Sequence, residues 1–510
     1  MDDDEEAQPT VVGRARGGWI TFPFITAQIS NIVNGCTNFL PIAGTILADS
    51  SFGNFAVVNV SSIISLLGMV LLCLTASIRS LRHSQCVNGS LTTSTCETPS
   101  TIQYAVLYTA ITLASLGIGG TRFTIATMGA DQFGKQKHQA SFLNWYFFTN
   151  VVGSTVLVYI QDNVGWNWGL GLSSAANAIG FIVFLGTIRY YRCVKPSVSP
   201  FMSIAHVVVA ATAKRRISLS SEATTYYHEN TKGKFLNHAA IKCEGDFGED
   251  GTIARPWKLC TVQEVEDLKA LLKILPLWST GVFLSIPIGI QSSLVVLQAL
   301  TMDRHIGSHF NAPAAIFLTF KDRFLLPTYQ RLLNRTLTPL QRVGIGHVLN
   351  IIGMAASAIV EAKRLNVARS QNIAGTSLPG NMVVPMSALW LVGPLAIVGI
   401  GEAFHFPGQV SLYYQEFPKS LRSTSTAMIS MLVALGYYLS TALIGLVRRV
   451  TKWLADDINE GRLDNVFWLL VVIGVINFGY YLTCSVMYKY KSIMDDDEKC
   501  AEVHDEYQLK

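Results

Sequence analysis

Between Ile102 and Gly129 the only ionisable side chains are those of Tyr104, Tyr108 and Arg122. A helix needs about 20 predominantly apolar residues to cross the roughly 30 Å hydrocarbon core of a bilayer, and this run is long enough. Its stretch GIGGTRFTIATMGADQF therefore sets a permanently charged group into a membrane span. An arginine near a bilayer centre costs about 2.5 to 3.5 kcal/mol on insertion scales, so it must face a cavity, a carboxylate or an anion rather than lipid. Hydrophobic residues make up 50% of the 510, charged residues 14%, and the mean hydropathy is +0.35, whereas water-soluble domains carry about 25% charged residues. The chain reads as an all-α polytopic membrane protein. Its net charge of +5 lies in loops between apolar runs, so the bilayer is an expected partner and nucleic acid is not.

The apolar runs predict spans near 25–48, 55–78, 102–129 with Arg122, 142–161 and 168–188, and in the second half at 274–302, 343–360 with His347, 383–413 with Glu402 and His405, 423–447 and 466–487. Residues 17–48 hold no charge, yet they suffice for one span and not two. Between Arg304 and Lys321 only NAPAAIFLTF is apolar enough for lipid, about half of a span. Residues 191–266 contain ten Lys/Arg and eight Asp/Glu with no sustained apolar period, which predicts a linker. The chain thus divides into an acidic tail (1–16), a transmembrane half of about five helices (17–190), a cytoplasmic linker (191–266), a second half of five to six helices (267–490) and a tail (491–510).

Basic residues set the orientation. The linker, DQFGKQK and the segment with Lys321, Arg323, Arg331, Arg335 and Arg342 are expected on the cytoplasmic side, and the 79–101 loop outside. Arg448, Arg449 and Lys452 fall on the outer side, against the rule. Five spans before a cytoplasmic linker send the acidic N-terminus outside, which points to a missing span. In the outer loop Asn88 begins an Asn-Gly-Ser glycosylation sequon flanked by Cys86 and Cys96, either a disulfide-closed loop or two free thiols. In the linker, Arg215 and Arg216 precede Ser218, a phosphorylation candidate or part of a basic patch at lipid headgroups. No Cys/His ligand spacing and no Ser/His/Asp constellation occurs, so no metal, cofactor or enzymatic activity is expected.

The strings GADQF, FLNWYFFTNVVGSTVLVYIQDNVGWNWG, TMDR, TPLQRVGIG and GIGEAFHFPGQVSLYYQEFPKSLRSTSTA resemble the plant nitrate/peptide transporter family, the proton-dependent oligopeptide transporter branch of the major facilitator superfamily. AQISNIVNG, LPLWSTGVF, VLQALTMDR and IVEAKRL are most similar to its nitrate-excretion branch. The resemblance implies two six-helix halves around a central cavity, and passive efflux of nitrate or chloride across a plasma membrane, or alternatively a vacuolar one. Two departures stand out. The family's first helix is missing between GGWITFPF and ITAQISNIVNG, and its eighth is cut to about half. A degenerate, non-transporting isoform that associates with full-length relatives is therefore a competing expectation. Proton-coupled uptake is a third, weakened because the Glu-x-x-Glu-Arg motif of coupled members belongs to the missing helix.

The resemblance aligns Arg122 with a basic residue on the family's fourth helix and Glu402 with an acidic one on the tenth, a pair that links the halves across the cavity. Each is also the only formally charged side chain in its predicted span, so each needs a partner. An anion competing with Glu402 for Arg122 would loosen that link; a permanent ion pair is the alternative. Gln291 offers neutral donors to an anion or a helix-to-helix hydrogen bond. His405, three residues after Glu402 on the same face, is either a pH sensor or packing. Asp49 and Gly53 resemble the superfamily's gating loop, with Asp322 and Arg323 in the corresponding place of the second half; a plain turn is the alternative for Asp49. Asp131 is expected to cap or brace the fourth helix.

Overall fold

The computed structural model describes residues 22–488 apart from 48–51, 79, 82–99, 123, 133–148, 150–152, 155, 162, 192–199, 216–234, 242–256, 307–309, 312–336, 372–382, 417–423 and 456–457. Asp49, Asn88, Ser218, Asp322, Arg323 and the short eighth helix lie outside the described residues.

The first half contains α1 (Phe22–Leu47), α2 (Gly53–Ser77), α3 (Thr101–Thr121), α4 (Thr124–Asp131) and α5 (Trp166–Gly186). After a linker helix, α6 (Pro200–Ala213), come α7 (Val262–Leu300), α8 (Pro339–Ser370), α9 (Val392–Glu416), α10 (Thr424–Val450) and α11 (Leu463–Met487). Among the described residues eight helical segments are long and apolar enough to cross a membrane. With α1, of 26 residues, they account for nine of the ten apolar runs; the run at 142–161 is described only in part.

Helix starts are written locally. Ser100 with Gln103, Thr261 with Glu264 and Thr338 with Gln341 form reciprocal capping boxes at α3, α7 and α8, each pairing two backbone donors that a helix otherwise leaves open. Gly53 and Gly165 take φ of +75° and +143° at the starts of α2 and α5, values that only glycine adopts without strain. Gly53 is thus required by the turn itself.

Inside each half, small residues let backbones approach. The buried face of α3 is Ala110, Ala114, Ser115, Gly117, Gly119 and Gly120. A Cβ on Gly117 would lie 2.4 Å from Ser65 of α2, and one on Gly119 2.4 Å from Leu40 of α1. GIGG is therefore a three-helix seam as well as the approach to Arg122. In membranes, where lipid is as apolar as leucine, such seams supply the packing that holds helices together. The second half repeats the device where Gly346 of α8 meets His405 and Gly401 of α9. The halves meet where α1 runs along α10: Gly35 and Cys36 face Tyr438, and Gln28 faces Gly445.

Three expectations change. The arginine-bearing run is not one helix: Arg122 is the C-cap of α3, and an eight-residue α4 follows. The run at 383–413 begins as a strand, Val384–Ser387, paired in parallel with Met302–Asp303, then a 3-10 turn, and becomes α-helical only at Val392; Pro385 has no N–H to give a helix. The linker is not without apolar order, since Val207, Ala210 and Ala211 of α6 form a small core with Ala239, Ala240, Cys260, Val265 and Leu268. It packs on the first turns of α7, whose 39 residues span about 58 Å, far more than a bilayer core. Burial and the Glu264 carboxylate push the Cys260 thiol up to about 12, against the pull of Lys214.

Two outcomes follow. Gly117→Leu should destabilise the protein by about 1–3 kcal/mol through overpacking, read as a lower melting temperature in detergent, whereas Gly180→Ala, which meets nothing within 4 Å, should leave it unchanged. Cys260 should resist maleimide at pH 8 in the folded protein and label after denaturation, because the thiolate is the nucleophile.

Candidate functional site

The small residues of α3 bring it against α1 and deliver Arg122 to the seam. Its guanidinium Nη1 donates to Asn38 Oδ1 of α1 at 3.2 Å. Asn38 is 8% exposed, and its Nδ2 donates to the Asn34 carbonyl at 2.7 Å. Arg122 itself is exposed. The arrangement is an accessible cation held by an uncharged amide. Asn31, Gly35 and Asn38 share one face of α1, since residues three and four apart stack on a helix. That polar spacing within ITAQISNIVNG is visible in the sequence; what it touches is not.

Glu402 stands half-buried in α9 of the opposite half, next to Gly401, against which Gly346 and Asn350 of α8 pack. His405 follows Glu402, but its ring turns into the α8–α9 seam: it is fully buried, edge-on to His347 with centroids 5.1 Å apart, and His347 stacks on Tyr481. Gln291 is 1% exposed and its Nε2 donates to Ser357 Oγ at 3.1 Å. It joins α7 to α8, the helix-to-helix role, rather than facing open space. Asp131 is the last residue of α4. Among the described residues no group of three or more His, Cys, Asp or Glu could hold a metal ion.

The most elaborate polar cluster was not expected. Helix α8 does not stop where the uncharged run ends at Val360 but continues to Ser370, carrying Glu361 and Arg364, each 0% exposed. Arg364 Nε and Nη2 donate to the Glu361 carboxylate at 2.8 and 2.7 Å. Nη1 donates to Thr301 Oγ1 at 3.1 Å and Asn459 Oδ1 at 2.6 Å, and Nη2 also to the Ile458 carbonyl at 3.3 Å. Gln298 Nε2 donates to Glu361 Oε2 at 2.7 Å. All five guanidinium N–H groups are used, tying α7, α8 and the α10–α11 loop together. The i, i+3 spacing of opposite charges was the available signal, but it reads equally as a solvated helix end.

Two helical halves joined by a linker helix, with an accessible cation at the seam of one and a carboxylate in the other, define a polytopic membrane carrier of the major facilitator type. The sequence profile described as POT family matches residues 55–460. In Arabidopsis thaliana, the protein NRT1/PTR FAMILY 2.7 is 48% identical and covers 96% of this chain and 96% of its own, and NRT1/PTR FAMILY 2.3 is 45% identical with 98% of both covered. The chain belongs to the POT (NRT1/PTR) family of membrane transporters. Among solved structures, an auto-inhibited POT family peptide transporter superposes with a TM-score of 0.60 over 92% of this chain and 89% of its own at 16% identity. The POT family transporter PepTSo gives 0.61 over 91% and 90% at 15%; both show the shared fold. The alignment with NRT1/PTR FAMILY 2.7 runs over 540 positions, and 96% of 510 residues is about 490, so about 50 positions have no residue here. One absent helix and half of another require gaps of that size.

Removing one partner of the sealed pair, as in Glu361→Ala or Arg364→Ala, should cost about 3–5 kcal/mol by stranding a buried charge. Thermal unfolding in detergent should show it, and the double variant Glu361→Met with Arg364→Leu should lose less than either.

Proposed function

We propose that this transporter carries nitrate, with chloride as the competing substrate, passively out of the cell by alternating access at the plasma membrane. The observation that supports this most is the Arg122 guanidinium, exposed at the end of an apolar helix and held by the neutral oxygen of Asn38. A fixed cation in a low-dielectric setting attracts an anion far more strongly than it would in water. Glu402 belongs to the other half. An anion that competes with it for Arg122 weakens attraction between the halves, coupling binding to their separation. A membrane potential supplies about 2.3 kcal/mol per charge per 100 mV, enough to drive an anion from a negative cytoplasm without a proton. The names of the Arabidopsis relatives fit a nitrate or peptide substrate, and an exposed guanidinium suits a monovalent anion.

A second reading, a non-transporting isoform that associates with full-length relatives, is favoured by the roughly 50 positions missing against NRT1/PTR FAMILY 2.7. Efflux of nitrate from oocytes separates the two when the 510-residue chain is compared with a version carrying the restored first helix. Transport by the chain as it stands is the expected result; flux from the restored form alone would assign it to the second class. Arg122→Ala should lower nitrate flux at least about tenfold at equal surface expression, since removing a charge-assisted contact costs about 1.5–3 kcal/mol. Unchanged flux would remove Arg122 from the mechanism.

A further inference from the structure

We infer that the groove between α8 and α11 is a sterol site on the bilayer-facing side of the second half, with the sterol hydroxyl held between Gln341 and Ser485 and the ring system lying on Phe478 and Tyr481.

The groove lies at the linker-side ends of two antiparallel spans, where a Cβ on Gly344 would come 3.3 Å from Tyr481 and, further along, one on Gly474 2.9 Å from Ile351. Both helices are long and apolar enough to cross a membrane. The groove is continuous with the surface they turn to lipid, since Val348, Leu482 and Val486 on its walls are 39%, 46% and 84% exposed. Its volume of about 600 Å³ is that of a small-molecule pocket. The lining runs from Leu337 to Leu349 along α8 and from Phe478 to Val486 along α11, about 12 to 18 Å of helix. That is one leaflet of a hydrocarbon core about 30 Å thick.

Two features select the occupant. The floor is flat: the Phe478 and Tyr481 rings lie 17° from parallel with centroids 6.2 Å apart, and His347 backs Tyr481. The Tyr481 hydroxyl donates to the Leu340 carbonyl, and Gly344 has no side chain to cover the ring, so the floor is apolar. A flexible acyl chain loses rotamer freedom on lying flat there, whereas a fused ring system has little to lose. The head must also be neutral. Among the described residues no charged side chain lines the groove, so a phosphate would find no cation. Gln341 Oε1 accepts from the Thr338 N–H in the helix cap, which leaves its Nε2 as a donor; Ser485 Oγ donates to the Leu482 carbonyl and keeps lone pairs to accept. A single hydroxyl, donor and acceptor at once, complements both. This polar end is one turn from Tyr488, whose hydroxyl donates to Glu416 and whose ring lies 5.2 Å from Lys273 Nζ, the setting of a tyrosine at headgroup level. Val486, Tyr488 and Lys491 also fit the Val-x-Tyr-x-x-Lys spacing suggested for sterol contact. That pattern is short, and here it falls at the end of the helix that floors the groove.

The test uses the purified 510-residue chain in phosphatidylcholine nanodiscs with a diazirine-bearing sterol, and maps the labelled peptides by mass spectrometry. Label should fall within 337–349 or 478–486 and be competed by unlabelled sterol, which should also raise the melting temperature. Val348→Trp, which fills the groove from its lipid side, should abolish both effects. Val475→Trp, at a 54% exposed position of α11 outside the lining, should leave both intact. Ser485→Ala should weaken binding about fivefold through one lost hydrogen bond, and a sterol acetate, which has no hydroxyl to donate, should compete poorly. Melting temperatures without sterol should match the parent; if Val348→Trp lowers its own, Ser485→Ala and the acetate decide. Label elsewhere in the chain, or label unchanged in Val348→Trp, would overturn the site. Competition by the acetate equal to that of the sterol, with parent-like binding by Ser485→Ala, would overturn the hydroxyl contact. A free fatty acid that competes as well as the sterol would assign the groove to an acyl chain and overturn the inference.

Discussion

A guanidinium in hydrocarbon must be given partners by the protein, and the two arginines described here are treated in opposite ways. Arg364 is sealed, with every N–H spent on Glu361, Thr301, Asn459 and a backbone carbonyl. Arg122 is exposed and rests on an uncharged amide. A charge whose donors are saturated and whose counter-charge is fixed has nothing left for a ligand. The same residue type is thus a rivet in one half and a candidate binding group in the other.

Both outcomes depend on how closely helices approach. Gly117, Gly119 and Gly120 let α3 lie against α1 and α2, and without that contact Asn38 would be out of reach of Arg122. Gly346 and Gly401 do the same for α8 and α9, burying His405 and His347 against each other beside Glu402. Between the halves, α1 lies against α10, where Gly35 and Cys36 meet Tyr438. The cluster on Arg364 binds α7, α8 and the α10–α11 loop into one unit.

The linker shows how a polar-looking segment still builds structure. Val207, Ala210 and Ala211 close a small core on Ala239, Ala240 and the first turns of α7. Extending α7 beyond the bilayer gives the linker something to pack on, so it is anchored to the second half.

Fold class and family were legible in the sequence because both rest on local quantities. Run length against bilayer thickness marks spans, and capping residues mark helix starts. Arg122 and Glu402 were legible as residues needing explanation, because a charge in an apolar run is conspicuous whatever surrounds it. Partnership was not. That Asn38 serves Arg122, that Gln291 is occupied by Ser357 and that Glu361 with Arg364 closes a buried network all depend on which helix faces become neighbours. Those neighbours lie 84, 66 and up to 95 residues apart in the chain, and periodicity carries no information on contacts at such separations. Sequence by itself determined which charges stand in apolar runs; only the tertiary structure decided which side chains meet them, because those contacts join helices far apart in the chain.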